Sequence, residues 1–434
     1  MLRKRLQLGL IHVAVAMTLV PINSTLNRVM IKELALTATL VAVLASLPYF
    51  FSPIQVAIGS FADRHPILGR RRTPYIIAGL FLCVAGVIVS PHVAFLLAED
   101  WWAGLGFGIL AFGAWGMGFN FATVSYLSLA SEISGEDGRG RTIAIMFFMM
   151  IVGIIVTSIV LSNLVDPYTP EALVSSFLFV GIAALVLGLV GLIKLEDRAD
   201  PGTSFESDGH SWSSMAKAVF ANRQATLFFW YLIILLVALL GQDILLEPYG
   251  GQAFGMAVRT TTRITSIWGV CVLAALVVAG ALERKVEKKA VARWGGLIAL
   301  IGFILIAGSG LLHSQSVFWV GVILLGGGTG LSTVSNLSLM LDMTTPNNVG
   351  LFIGAWGMAN AISRLLGFTL SGAVRDIITH LTQSTVTGYV VVFSILALLL
   401  LISLLMLRRI NVSAFQKRAH QMGIVERAAL VNEA

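Results

Sequence analysis

Thr123-Val-Ser-Tyr-Leu-Ser-Leu129 returns as Thr333-Val-Ser-Asn-Leu-Ser-Leu339, and this pair decides how the chain is read. Six of the seven positions are identical at an offset of 210 residues. At the same offset Gly116 meets Gly326, Gly118 meets Gly328, Glu132 meets Asp342 and Gly140 meets Gly350. Matches that continue through the flanks make coincidence a poor explanation, even in an apolar chain. A parallel internal repeat covering half the protein is implied.

The surroundings of the repeat say what it is made of. Of 434 residues, 57% are hydrophobic and 12% charged, and the mean hydropathy is +0.89. A water-soluble domain is about 25% charged, because its surface must be solvated. Too few charges are present to cover such a surface, so lipid must face much of it. Apolar runs fall near 8–28, 36–59, 74–97, 103–130, 142–165 and 173–195, and again near 226–248, 262–282, 294–312, 316–340, 350–372 and 385–407. At about 20 residues per span these are twelve transmembrane helices. The expected organisation is all-α and polytopic. It has an N-terminal six-helix bundle over 1–195, a polar linker over 196–225, a C-terminal six-helix bundle over 226–407 and a tail over 408–434.

Charge placement sets the orientation. Lys and Arg cluster at Arg3–Arg5, Arg64 with Arg70–Arg72, Arg139 with Arg141, the central linker, Arg284–Arg293 and the tail, all on one side if the spans alternate. Arg28, Lys32, Arg259, Arg263 and Arg375 fall on the other. The positive-inside rule then places both termini in the cytoplasm. The net charge of +7 belongs to this pattern, and the basic face interleaved with aromatics that nucleic acid requires is absent. Met1-Leu-Arg-Lys-Arg5 and the following apolar run imitate a signal peptide. The run continues to Pro21 without a small-residue cleavage site, so it is expected to stay as the first helix.

A few polar residues interrupt the spans. Helix seven reads Gln242-Asp-Ile-Leu-Leu-Glu247-Pro-Tyr249-Gly-Gly251. A charge at membrane depth costs about 2.5–3.5 kcal/mol, so Asp243 and Glu247 need inward partners. Their i, i+4 spacing puts them on one helix face. Pro248 is expected to break the helix, with Gly250 and Gly251 loosening the segment beyond it. Helix one ends in Asn23-Ser-Thr-Leu-Asn27-Arg28, whose Asn23, Asn27 and Arg28 can face Asp243 or Glu247. Arg364, inside helix eleven, needs a partner that the sequence does not name. These residues, with Gln242 and Tyr249, are the candidates for binding a ligand or partner.

Basic loops supply the second group. In Gly59-Ser-Phe-Ala-Asp63-Arg64 followed by Gly69-Arg70-Arg71-Arg72-Thr-Pro74, Asp63 can sit at a helix N-terminus while the arginines bind carboxylates or lipid phosphates. Glu132 and Arg139 or Arg141, after helix four, are expected in the same ion-pair network. His12 lies in helix one and can ligate a metal-centred macrocycle, although a lone histidine on an apolar helix is more often a packing residue. Cys83 and Cys271 lie in separate apolar runs without the spacing of a redox or zinc pair and read as packing residues. Gly104-x-x-x-Gly108 and Gly326-x-x-x-Gly330 make small-residue faces for close helix packing. No Walker loop, nucleophile elbow, zinc site or dinucleotide fingerprint is present, so no enzymatic chemistry is expected.

The Gly59–Arg72 loop resembles the signature loop of the major facilitators, with a lengthened middle. Three stretches together narrow that resemblance: Asn23–Met30, Asp63–Pro74, and Gln242–Gly251 with Phe254-Gly255. They resemble the PucC-type, or bacteriochlorophyll-delivery, branch. The resemblance implies a latch between halves at the Asp63–Arg72 loop. It also implies a role in assembling light-harvesting antenna complexes in a bacterial photosynthetic membrane, by handing (bacterio)chlorophyll or a precursor to antenna polypeptides. It does not place pigment ligands residue by residue. The alternative suggested by architecture alone is a proton-coupled transporter of a small, rather apolar solute, with Asp243 or Glu247 carrying the proton.

Overall fold

The computed structural model describes residues 1–197, 223–283, 285–342 and 349–411. Most of the expected linker, Arg284, most of the tail and the side chain of Asp63 lie outside what is described. Among the described residues the elements are helices: α1 (Leu2–Glu33), α2 (Ala38–Phe50), α3 (Ile54–Arg64), α4 (Thr73–Glu99), α5 (Trp101–Gly135), α6 (Gly138–Leu164) and α7 (Pro170–Leu192). They continue as α8 (Arg223–Phe254), α9 (Val258–Leu282), α10 (Lys288–Leu311), α11 (Gln315–Asp342), α12 (Val349–Thr382) and α13 (Thr385–Arg409).

Ten of these are long and apolar enough to cross a membrane. Two further crossings complete twelve. One is α12, a helix of 34 residues that carries Arg364, Arg375 and Asp376. The other is α2 and α3 together, a single path interrupted at residues 51–53. Pro48 and Pro53 explain the interruption, since each removes a backbone donor. The Pro48 carbonyl instead accepts from Asn120 Nδ2 at 2.9 Å. An even number of crossings brings residue 1 and residue 411 to the same end of the bundle, called here the near end.

The packing repeats as the sequence does. In the first half α1 and α4 both pack on α7, and α4 packs along α5; in the second, α8 and α10 both pack on α13, and α10 packs along α11. The halves meet along α2 with α12 and along α6 with α9. The matched glycines sit where the repeat needs them. A Cβ at Gly118 would stand 2.6 Å from the backbone N of Cys83, and one at Gly328 would stand 2.6 Å from the carbonyl of Gly295. Gly116 abuts Pro48 and Gly326 abuts Trp268 and Cys271 in the same equivalent way. Gly104 and Gly330 are likewise filled by neighbouring helix, at Leu97 and Val272. Cys83 is buried, Cys271 is half-buried, and both are free thiols.

Candidate functional site

The far part of α1 is not a regular helix. Pro21 lacks the N–H its turn would use, and the backbone widens into two π-helical stretches, Pro21–Leu26 and Val29–Glu33, a form common at functional sites. This re-aims the polar run. Asn27 Nδ2 turns back to the carbonyl of Asn23 at 2.8 Å. Ser24 is the residue that reaches across, donating to Glu247 Oε1 at 2.5 Å.

In α8 the break precedes Pro248 rather than following it. Residues 242–245 form a turn, and a new helical segment runs over Leu246–Phe254. Pro248 is its third residue, where a backbone N–H has no helical acceptor in any case, so the ring is tolerated. Gly250 and Gly251 are helical and buried, and the segment ends at Gly255, whose φ of +64° suits glycine. The turn separates the two acids. Glu247, at the start of the new segment, is 3% exposed and also accepts from Thr265 Oγ1 of α9 at 2.6 Å. Its Oε2 has no hydrogen-bond partner. Asp243 instead faces α12.

There it meets the partner that Arg364 requires: Nη1 donates to Asp243 Oδ2 at 3.1 Å. Gln242 Nε2 donates to Asp243 Oδ1 at 2.5 Å. The guanidinium lies 5.4 Å from the centre of the Tyr49 ring of α2, so the pair touches both halves. Arg28 does not pair with either acid. It ion-pairs with Glu33 and donates to the Met256 carbonyl at 2.9 Å. Tyr249 is a packing residue within the second half, edge-on to Phe254 and Phe318 and tilted against Tyr389 and Phe393. Its hydroxyl donates to the Ile306 carbonyl at 3.1 Å.

Hydroxyl groups complete the seam. Thr25 and Thr262 lie 3.0 Å apart, Ser158 donates to the Thr262 carbonyl at 2.6 Å, and Ser266 bonds Ser158 at 2.8 Å. At the far end the Asp376 carboxylate receives the backbone N–H of Ala38 and of Thr39, while Arg259 ion-pairs with Asp166 at 2.6 Å. The sequence reading missed Ser24, Thr265, Ser158 and Asp376. Serine and threonine are ordinary in membrane helices, and nothing in their spacing marks these out.

At the near end Arg72 holds Glu132 at 2.9 Å and Arg71 approaches it at 3.6 Å. Glu196 places its carboxylate at the start of α4, where it accepts from the backbone N–H of Arg71, Arg72 and Thr73; the expectation for Asp63 falls on a side chain outside the described residues. Arg139 donates to Ser131 rather than to Glu132. Arg64 is exposed at the end of α3, and Arg70 closes a tight turn with Ile67. The contacts described for this cluster tie α4, α5 and the end of α7 within the first half. His12 is buried between α1, α5 and α6, its ring 5.1 Å from Tyr126 and 5.0 Å from Phe147; its Nδ1 has no partner.

Solved structures carry the same arrangement. A mutant of the nucleoside transporter NupG superposes with a TM-score of 0.75 over 94% of this chain and 99% of its own, at 15% identity. That likeness carries the fold, which is of the major-facilitator type. Sequence relatives go further. Protein PucC of Rhodobacter capsulatus is 31% identical over 93% of this chain and 91% of its own. The bacteriochlorophyll synthase 44.5 kDa chain of the same organism is 26% identical over 92% of this chain and 93% of its own. Residues 25–415 match the family described as PUCC protein, and that span takes in the second π-helical stretch of α1, the Asp63–Arg72 loop and the broken α8: the chain belongs to the PucC family.

Proposed function

We propose that this protein is a membrane assembly factor for light-harvesting antenna complexes, binding (bacterio)chlorophyll or a precursor and delivering it to antenna polypeptides. The observation that carries this reading is how the polar groups inside the membrane are spent. Asp243 is taken by Arg364 and Gln242, Arg375 by Gln252 and Asp376, and Arg28 by Glu33 and a carbonyl. A hydrophilic cargo needs open charged groups around a wet cavity, whereas these charges are paired with one another and exposed span residues such as Phe107, Ile109 and Leu110 offer apolar surface to a lipid-like macrocycle. Family membership, and a relative named for bacteriochlorophyll, support the same choice.

The second reading, a proton-coupled transporter, is favoured by Glu247. Among the described residues it is a buried carboxyl with two hydroxyl donors on one oxygen, an orphaned second oxygen and no cation within ion-pair distance.

Purification in mild detergent from a pigment-replete photosynthetic host, followed by absorption spectroscopy and pigment extraction, separates them. Near-stoichiometric (bacterio)chlorophyll or precursor is the expected result. A colourless protein moves the reading to the transporter, or to a scaffold without cargo.

A further inference from the structure

Arg28, Arg364 and Arg375, all on spans, are not alike. The side chain of Arg28 is 1% exposed and that of Arg375 9%, whereas that of Arg364 is 28% exposed, with Asp243 at 22%. Arg375 spends its guanidinium on Asp376, Gln252 and the Tyr389 ring. Arg364 has two side-chain partners, Asp243 and Tyr49, for a group with five N–H donors. Its other face lies on Tyr49, which packs edge-on against Phe368. Two helical turns towards the near end, on the same face of α12, Gly357 is exposed, and no atom comes within 4 Å of where its Cβ would stand. A part-exposed guanidinium at membrane depth, with donors to spare beside an aromatic wall and a floor without side chain, is costly to keep and is a site by default.

We propose that Arg364 receives the carboxylate of a flat, otherwise apolar ligand, with Asp243 as the internal anion that holds the guanidinium until the ligand arrives. A planar fork matches a carboxylate with two parallel hydrogen bonds. A single negative charge suits the depth better than a doubly charged phosphate, since each unpaired charge adds its own desolvation cost. This inference rests on the pigment reading and sharpens it. The preferred cargo is the free-acid form of the macrocycle, which carries a carboxylate, rather than the esterified pigment, which does not. The protein then stands before the esterifying reaction in the order of events.

The test uses the full-length protein in lipid nanodiscs, titrated with the free acid of the bacteriochlorophyll macrocycle and separately with its methyl ester, which differs only in that charge. Wild type should bind the acid about tenfold or more tightly than the ester, the scale of one charge-assisted hydrogen bond. The double variant D243N/R364Q leaves no unpaired charge and should bind both alike. D243N alone frees the guanidinium and should tighten the acid further, a gain that misfolding does not produce. Equal binding of acid and ester by wild type, or a preference that survives in the double variant, overturns the role of Arg364 and leaves pigment binding standing. Unchanged acid affinity in D243N overturns the exchange. No binding of either form overturns the pigment reading and this one with it.

Discussion

Glu196 reads in the sequence as the first residue of a polar linker, and in the structure it is a helix cap. One carboxylate receives three successive backbone N–H groups at the start of α4, with Thr73 N at 2.6 Å. Orphan donors and the positive end of the helix dipole both favour a negative group there. Glu196→Ala should lower thermal stability in detergent by about 1 kcal/mol, read as a lower unfolding midpoint. A midpoint equal to wild type would show the cap to be replaceable by water. Nothing in the loop before α4 marked Glu196 as its cap, because Glu196 lies more than a hundred residues on. The same holds for Arg364. Its insertion cost announced a partner, but Asp243 comes to it only through the packing of α8 on α12. The i, i+4 spacing of Asp243 and Glu247 pointed wrongly to a shared face, since that rule presumes the continuous helix that the 242–245 turn interrupts.

Helices were the legible elements. The twelve apolar runs match the observed crossings to within a few residues at most ends, and the main misreading has a local cause. Proline after an acid in an apolar run reads as a stop, yet the first turn of a helix accepts proline without loss, so the same residue here follows a restart. Glycine pairing was legible in part: the repeat marked Gly118 and Gly328 as equivalent without saying what they touch. Both sit where two helices cross backbone to backbone. Gly118→Val and Gly328→Val should each destabilise the protein by about 1–3 kcal/mol, the cost of overpacking against atoms that cannot yield. Gly308→Ala, which meets no atom within 4 Å, should be neutral or slightly stabilising, as alanine is in a helix interior. Midpoints for the three variants measured side by side check this, and equal midpoints would refute the close-crossing account.

Across the whole molecule, the polar ties described between the halves lie in the far half of the membrane: Ser24 to Glu247, Thr25 to Thr262, Arg28 to Met256, Thr39 to Asp376 and Arg259 to Asp166. Those described at the near end, such as Arg72 to Glu132 and Lys289 to the Ile410 carbonyl, stay within one half. No charge count or motif foretold this, because a tie between halves depends on two segments some 200 residues apart. Asp376→Ala with Arg259→Gln should loosen the far end. A cysteine placed at Ser158, buried in the seam, should then react several-fold faster with an impermeant maleimide added on that side. Unchanged labelling would place the closure elsewhere.

The position of those ties also sets a gearing. Thr73–Glu99, a single helix of 27 residues, is about 40 Å long at 1.5 Å per residue. If each half is a rigid arm pivoting at its far tip, a swing of about 10° displaces the near tip by about 7 Å. A hydroxyl seam need slip by only a fraction of that. Small adjustments among Ser24, Thr265 and Glu247 are thus magnified into a mouth wide enough to pass the edge of a flat ring.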